Sequence, residues 1–136
     1  MKTLIDSSGD RFALGVKEMD ETHLEFIELV NRLGNAGKQE FIDLFKQLIE
    51  HTEAHFAAEN ERMEETGFPA IQEHRGEHLR VLGEMNRIGK RVAAGSLMLG
   101  RAYVEEQLPG WFSLHAATMD SALAAHIKAR FVTLSI

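Results

Sequence analysis

The sequence contains no cysteine, and this absence excludes several kinds of chemistry. Without a thiol there is no disulfide, no catalytic thiol and no thiolate ligand, so any transition metal has to be held by imidazole and carboxylate groups. Proline is scarce as well, with two residues among 136, and 44% of the residues are hydrophobic. The composition is therefore that of an ordinary folded protein rather than a disordered one.

An excess of basic residues and a long hydrophobic run are also missing. Lys and Arg number 15 against 21 Asp and Glu, which gives a formal charge of −6. Because nucleic-acid affinity depends on clustered Lys and Arg, nucleic acid and anionic membranes are poor partners. No apolar run is long enough for a signal peptide or a membrane span. These features predict a cytoplasmic protein, and the length predicts a single domain over residues 1–136.

Apolar residues recur at helical spacing along the chain, with interruptions at glycine and proline. The pattern predicts an all-α protein after an irregular lead-in over residues 1–17. The expected helices are a first that Asp20 caps and Gly34 ends, a second from about Gln39 to Thr66, a third from about Ala70 to Ala94, and a fourth from about Leu99 to Arg130. Short connections favour an up-down-up-down antiparallel four-helix bundle. Pro109 is expected to kink or break the fourth helix.

Two pairs of residues have the spacing of metal ligands on one helix face. They are His55 with Glu59, and His74 with His78, each four residues apart. In an antiparallel bundle both pairs fall toward the same end as three further candidates, which are His23, His115 and Asp120. At a rise of about 1.5 Å per residue, their offsets differ by only about one to two turns, which indicates a binuclear metal centre.

One spacing fits this prediction less well than the others. His115 and Asp120 are five residues apart, which places them about 140° from each other around a regular α-helix. The pair can still meet two metals from different angles, especially if Pro109 alters the local helix.

Taken singly, the histidines and acids have ordinary explanations, since an isolated histidine is more often hydrogen-bonded than metal-bound. His51 lies one turn before His55; it is interpreted as a packed or solvated side chain, and the alternatives are a role beside the site or as a replacement ligand. His126 has no partner at metal spacing and is expected at the surface. Solvated faces are expected for the neighbouring acids, which are Glu61, Glu64, Glu65, Glu73 and Glu77.

The motifs resemble, in their order, those of the bacterial hemerythrins over nearly the whole chain. The matching segments are residues 15–23 (GVKEMDETH), His55-x3-Glu59, Gly67-Phe68-Pro69, His74-x3-His78 and Trp111-x3-His115-x4-Asp120. The resemblance implies a hemerythrin-like domain holding two non-haem irons that bind O2 reversibly. It assigns one iron to His74, His78 and His115 and the other to His23 and His55. Bridging is assigned to Glu59 and Asp120, together with a solvent-derived oxo or hydroxo group, and one iron keeps an open position for O2.

The sequence departs from the family pattern at two places. The first concerns the O2 pocket, over which the resemblance puts Trp111. The residue after His115 is Ala116, where the family usually has a large aliphatic side chain. The smaller side chain opens space beside the bound ligand, so we expect faster autoxidation or easier entry of anions such as azide. The lead-in has Leu4-Ile5-Asp6 in place of the tryptophan usual in the family, which bears on local packing and not on the metal site.

Three functions are compatible with these observations. The leading expectation is a non-enzymatic O2-binding protein for carriage, storage or delivery to an oxygenase, with O2 and small anions as ligands. The alternatives are an O2, redox or nitric-oxide sensor acting through a signalling partner, and a di-iron peroxidase or nitric-oxide reductase. An enzyme needs a proton donor beside the open iron, and no unassigned acid is clearly placed there. The ligand types also suit Mn or Zn, so iron follows from the resemblance alone.

Overall fold

The computed structural model describes residues 2–9 and 11–135, and all regular structure among them is helical, as predicted. Met1, Asp10 and Ile136 lie outside the described residues. The α-helices are α1 (Lys17–Leu33), α2 (Lys38–Thr66), α3 (Ile71–Ala93), α4 (Met98–Ala102), α5 (Leu108–His115) and α6 (Ser121–Ser135). Two π-helical segments join the last three, a first one at Tyr103–Gln107 and a second one at Ala116–Asp120. In the described part of the chain no helix is both long and apolar enough to cross a membrane.

The first helix begins before Asp20, so the prediction that Asp20 caps it is wrong. Val16 takes the N-cap position and makes no side-chain capping bond. The Asp20 carboxylate lies inside the first turn and accepts hydrogen bonds from the backbone N–H groups of Leu14, at 2.8 Å, and Gly15, at 3.2 Å. A negative charge is favourable at this end of a helix. Asp20 therefore fastens the lead-in to the start of α1 instead of capping the helix.

The other predicted helix boundaries agree with the structure to within one residue, except that the last helix ends at Ser135 and not at about Arg130. Gly67 ends α2 in the left-handed conformation, with φ of 63°, and its N–H group bonds to the carbonyl of Glu64. A residue without a Cβ atom adopts this conformation at little cost, and Pro69 then prevents the helix from continuing. The turn from α2 to α3 is thus encoded by Gly67 and Pro69.

The chain stays helical from residue 98 to residue 135, so Pro109 does not break the fourth helical segment. Pro109 lies in the first turn of α5, directly after the first π-helical segment. In a π-helix the hydrogen bonds run between residues five apart, so the backbone has already left the α register when it reaches the residue that cannot donate. A local change of helix type accommodates the proline.

The lead-in packs against the helices without forming a helix of its own. The side chain of Asn31 accepts hydrogen bonds from the backbone N–H groups of Leu4 and Ile5 and donates one to the carbonyl of Ile5. Ile5 is buried in the core, and the ring of Phe12 lies 5.1 Å from that of Phe112. Aliphatic side chains and Phe12 therefore supply the packing of the lead-in.

The apolar core consists of two clusters of buried side chains. The larger cluster includes Phe26, Phe56, Val81 and Phe112, and the smaller includes Met19, Met63, Phe68 and Leu123. The buried polar and charged residues of the described part are His23, Thr52, His55, Glu59, His74, His78, His115 and Asp120. Along their helices, His23, Glu59 and Asp120 each lie between a residue of the larger cluster and one of the smaller. The four other buried histidines contact Glu59 or Asp120. These residues form a polar layer with an apolar cluster on each side.

Candidate metal centre

The structure brings all seven predicted metal ligands together in this polar layer. These candidates are His23 on α1, His55 and Glu59 on α2, His74 and His78 on α3, His115 at the end of α5, and Asp120 at the end of the second π-helical segment. None of the seven is more than 9% exposed. Burying carboxylates and imidazoles costs free energy unless they are paired or bound to a metal. The burial of so many such groups in one place therefore indicates an ionic or metal-binding role.

The ligand atoms form two overlapping groups. One group contains Glu59, His74, His78, His115 and Asp120, and the other contains His23, His55 and Glu59. Within each group, one ligand atom from each residue lies within 4.8 Å of the others. Two atoms bonded to one metal at about 2.0–2.2 Å are at most about 4.4 Å apart, so the groups have nearly the dimensions of metal-coordination spheres.

The two carboxylates lie between the groups. Oε1 of Glu59 is 3.2 Å from Nε2 of His78, whereas Oε2 is 2.6 Å from Nε2 of His55. Asp120 repeats this arrangement, because Oδ1 is 3.1 Å from Nε2 of His115 and Oδ2 is 2.9 Å from Nε2 of His23. Each carboxylate therefore directs one oxygen toward the three-histidine group (His74, His78 and His115) and the other toward the two-histidine group (His23 and His55).

Several ligand atoms have no hydrogen-bond partner. Among the described residues these include Nε2 of His74, His78 and His115, Oε1 of Glu59 and Oδ1 of Asp120. Buried polar atoms without a partner are uncommon in folded proteins and cost free energy. Here the unpartnered nitrogen and oxygen atoms face each other across a short distance, and such donors suit divalent first-row metals, including iron. The residues therefore fit a pair of metal ions.

The electrostatics of the site keep its carboxylates ionised. Burial by itself raises the pKa of Glu59, but interactions with His55, His74 and His78 outweigh burial and hold this pKa well below its usual range. Asp120 behaves in the same way, with its pKa lowered mainly by His115 and His23. A carboxylate has to be ionised before it can bind a metal, so both groups are ready at neutral pH.

The second π-helical segment explains the five-residue spacing of His115 and Asp120. This segment, Ala116–Asp120, begins immediately after His115. Because its hydrogen bonds span five residues, it turns residues five apart toward one side of the helix. Nε2 of His115 and Oδ1 of Asp120 are accordingly 3.1 Å apart. The local helix type therefore resolves the mismatch with a regular α-helix.

Aromatic rings surround the histidines on the side of the larger cluster. The ring of Phe56 stacks flat on His78 with centroids 3.8 Å apart, and Trp111 stacks on His115 at 4.7 Å. Phe112 meets the ring of His23 edge-on at 5.4 Å. The other predicted pocket residue, Ala116, is buried and belongs to this larger cluster. These side chains hold the imidazoles in place and limit the access of water.

Asn60 is a site residue that sequence reasoning missed. Its Oδ1 atom accepts a hydrogen bond from Nδ1 of His78 at 3.0 Å, which leaves Nε2 of the same ring as the free ligand atom. In a metal-binding histidine, a hydrogen bond from the ring nitrogen that does not bind the metal fixes the tautomer and the orientation of the ring. Asn60 and His78 lie on different helices, and no sequence spacing signals their contact.

Two residues outside the ligand set differ from their predicted surroundings. His126 is half-buried and not at the surface, since its Nε2 atom donates to the carbonyl of Thr66 at 2.8 Å and its ring contacts Phe68. Glu77 is not simply solvated, because it accepts a hydrogen bond from the indole N–H of Trp111 at 3.4 Å. Both expectations are wrong for the same reason, which is that a neighbouring helix covers part of the side chain.

His51 lies beside the site without joining it. Its Nε2 atom is 3.3 Å from the carbonyl oxygen of Thr22, and its ring centroid is 6.2 Å from that of His55. Burial is the main cause that lowers the pKa of His51. The residue is partly packed against α1 and belongs to neither group of ligand atoms.

Comparison with known proteins adds independent information about the same residues. Residues 14–129 match the family model described as the Hemerythrin HHE cation binding domain. The chain is 38% identical over 117 residues to a bacteriohemerythrin of Ralstonia nicotianae, covering 86% of this chain and 85% of that protein. It is 28% identical over 127 residues to a bacteriohemerythrin of Stenotrophomonas maltophilia, covering 88% of this chain and 80% of that protein. The family match spans every candidate ligand from His23 to Asp120.

Proposed function

This chain belongs to the hemerythrin family, and we propose on that basis that it binds O2 reversibly at a non-haem di-iron centre. Its role is O2 carriage, storage or delivery to an oxygenase. The observation that carries the proposal is the pair of buried carboxylates, Glu59 and Asp120, each lying between two groups of histidines. This arrangement suits two metal ions close together, and membership of the family supports iron as the metal.

The ligand assignment follows the two groups of atoms. In this proposal His74, His78 and His115 would hold one iron, His23 and His55 would hold the other, and Glu59 and Asp120 would be ligands shared by the two. The two irons supply the electrons exchanged with O2 when they are present. The two-histidine group offers fewer protein ligands, so the free position for O2 lies on the side of His23 and His55.

The surrounding side chains favour binding over catalysis. Trp111 and Ala116 line the O2 pocket in this proposal and, with Phe112, limit the access of water and of stray protons. The buried acids and histidines of the described part all belong to the ligand set. A general acid beside the open position would have to come from a partly exposed residue such as Glu77, which accepts a hydrogen bond from Trp111.

We also propose that residues 1–136 form one hemerythrin-like domain with up-down-up-down helices. Along α1 the chain passes from Met19 of the smaller cluster to Phe26 of the larger, and along α2 it passes in the opposite sense, from Phe56 to Met63. The direction in which the chain runs between the two clusters reverses again in α3 and once more in the fourth helical segment. This alternation supports antiparallel neighbours and explains how ligands at different positions along each helix meet in one layer.

The test is anaerobic reduction of iron-loaded protein, with metal analysis, followed by visible absorption spectra as O2 is added and removed. We expect two irons per chain and an absorption band that appears with O2 and disappears without it. Zinc-loaded protein is the control, because zinc has no redox chemistry and should give no band.

Other outcomes would favour the alternative functions. A permanently ferric product, or no band at all, would contradict reversible binding. Sustained consumption of nitric oxide or peroxide would indicate an enzyme, and an O2-dependent change in affinity for a partner would indicate a sensor.

A further inference from the structure

Trp111, which lines the O2 pocket in the proposed function, is held by contacts at the face and at the edge of its ring. The indole stacks on His115, with the two ring planes 19° apart and the centroids at 4.7 Å. At the ring edge, Nε1 donates to Oε2 of Glu77 at 3.4 Å. Phe56 meets the indole edge-on at 6.3 Å. The orientation of the ring therefore depends on one ligand histidine, one aromatic neighbour and one acid on α3.

Glu77 is itself held in place by a residue of its own helix. Nε of Arg80, three residues later and on the same face of α3, donates to Oε1 of Glu77. The other oxygen is the one that accepts from Trp111. The Glu77 side chain is only 24% exposed, so water competes less for these two bonds than it does at a fully exposed acid. The contacts thus run from Arg80 through Glu77 and Trp111 to His115.

The two hydrogen bonds favour one role for Glu77 over another. Guanidinium and indole N–H groups can only donate, so both oxygens of Glu77 act as acceptors. This arrangement suits an ionised carboxylate that fixes its neighbours, whereas a general acid has to direct a proton toward the reacting group. Glu77 reaches the edge of the indole, and His115 lies against its face. Glu77 therefore acts on the ligand histidine through Trp111.

We propose that Glu77 is a positioning residue that keeps Trp111 flat on His115 and so lengthens the time for which O2 stays bound. Stacking alone lets an aromatic ring slide over its neighbour, and the hydrogen bond at the ring edge opposes this motion. When the indole is displaced, water and protons reach the pocket and promote autoxidation. The inference rests on the proposed function, because it assumes that Trp111 lines the O2 pocket.

The first experiment follows the indole itself and does not involve O2. Trp111 is the only tryptophan of the chain, so all tryptophan fluorescence comes from this ring. In zinc-loaded protein, which has no redox chemistry, Glu77→Ala should shift the emission to longer wavelength and make quenching by acrylamide steeper. Glu73→Ala is the matched control, since Glu73 also precedes a ligand histidine, His74, but is exposed. Unchanged emission and quenching in the Glu77 variant would mean that the hydrogen bond does not hold the ring.

The second experiment measures autoxidation of the iron-loaded protein, as the loss over time of the absorption band that appears with O2. Glu77→Ala should speed this loss about threefold or more, which is the factor for a hydrogen bond at the weak end of the usual range. Glu73→Ala should stay close to the unsubstituted rate, although it too removes a negative charge beside a ligand histidine. Thermal unfolding of each variant checks that it is folded. Equal autoxidation rates in the two variants would contradict the proposal.

A double-mutant cycle tests whether Glu77 acts through Trp111. Trp111→Phe keeps an aromatic ring beside His115 but has no N–H group to donate. Glu77→Ala should then change the autoxidation rate little when it is added to Trp111→Phe, so the two effects should not be additive. If Glu77→Ala has its full effect in the phenylalanine variant, its charge acts on the centre directly and the positioning role is wrong.

The outcomes also separate this inference from the proposed function. If O2 binding proves irreversible while Glu77→Ala still exposes Trp111 in the zinc-loaded protein, the proposed function fails and the positioning of the indole by Glu77 is supported. If O2 binding is reversible and Glu77→Ala changes neither the fluorescence nor the autoxidation rate, the proposed function is supported and the inference fails.

Discussion

At the scale of single residues, His78 shows how the protein prepares a ligand before any metal arrives. The face of its ring lies flat on Phe56, and its Nδ1–H group donates to Asn60. Both contacts hold the ring with Nε2 directed toward Glu59, at 3.2 Å from Oε1. A ring whose orientation is already fixed loses less conformational freedom when it binds a metal. Asn60 therefore contributes to the affinity for the metal without touching it.

Substitution of Asn60 tests this contribution. We expect Asn60→Ala to weaken iron retention about 10- to 100-fold, because loss of such a contact releases both the tautomer and the orientation of the histidine. The measurement is the iron remaining per chain during titration with a chelator. Asn86→Ala is the control, since Asn86 is exposed on α3 and bonds to the carbonyl of Leu82 one turn earlier. Equal retention by the two variants would show that Asn60 does not position His78.

At the scale of helices, the second π-helical segment sets the register of Asp120. Asp120 reaches His23, His74 and His115 because Ala116–Asp120 carries it round to the side of the centre. In a regular α-helix a residue four after His115, which is Met119, would face that side instead. Met119 is half-buried and lines the neighbouring cleft beside Phe68.

Exchanging these two residues tests whether the π-helical register is required. The double variant Met119→Asp with Asp120→Met keeps the composition and places the carboxylate at the regular α-helical spacing. We expect it to lose iron, because the carboxylate then leaves the space between the two groups of histidines; metal analysis after desalting gives the result. Met119→Leu is the control and should keep its iron. Full iron content in the double variant would mean that the segment can return to α-helical geometry without loss.

At the scale of the whole molecule, the sequence predicted the features that depend on regular helical spacing. The pairs His55 with Glu59 and His74 with His78 needed only the α-helical repeat, and Gly67 and Pro69 marked a boundary by their own conformational limits. The contact of Asn60 with His78 was not predicted, because packing between two helices determines it. The π-helical segments were not predicted either, because the pattern was read as a regular α-helix. Asp20 was misassigned because its carboxylate has the chemistry of a cap but bonds back to Leu14 and Gly15 from inside the helix.

The same buried charges should make stability depend on pH differently with and without metal. Burial lowers the pKa of His74, but Asp120 and Glu59 outweigh burial and raise it to about 9 from its ordinary 6.5; the pKa of His55 is also raised, since Glu59 outweighs burial. A histidine with a raised pKa stabilises the folded state fully below pH 6.5, and this stabilisation is lost as pH rises through the folded pKa. Between these values Glu59 and Asp120 are ionised in both the folded and the unfolded state.

We therefore expect metal-free protein to lose about 2–3 kcal/mol of unfolding free energy from His74 between pH 6.5 and about pH 9, since one pKa unit corresponds to 1.36 kcal/mol. Iron-loaded protein should not show this loss, because the metal replaces the proton on His74 and binds more tightly as pH rises. Urea unfolding of both forms across this range is the measurement, and His74→Gln in the metal-free form is the control that should lose the part of the decline due to His74. A parallel decline in the two forms would mean that the metal does not displace a proton from His74.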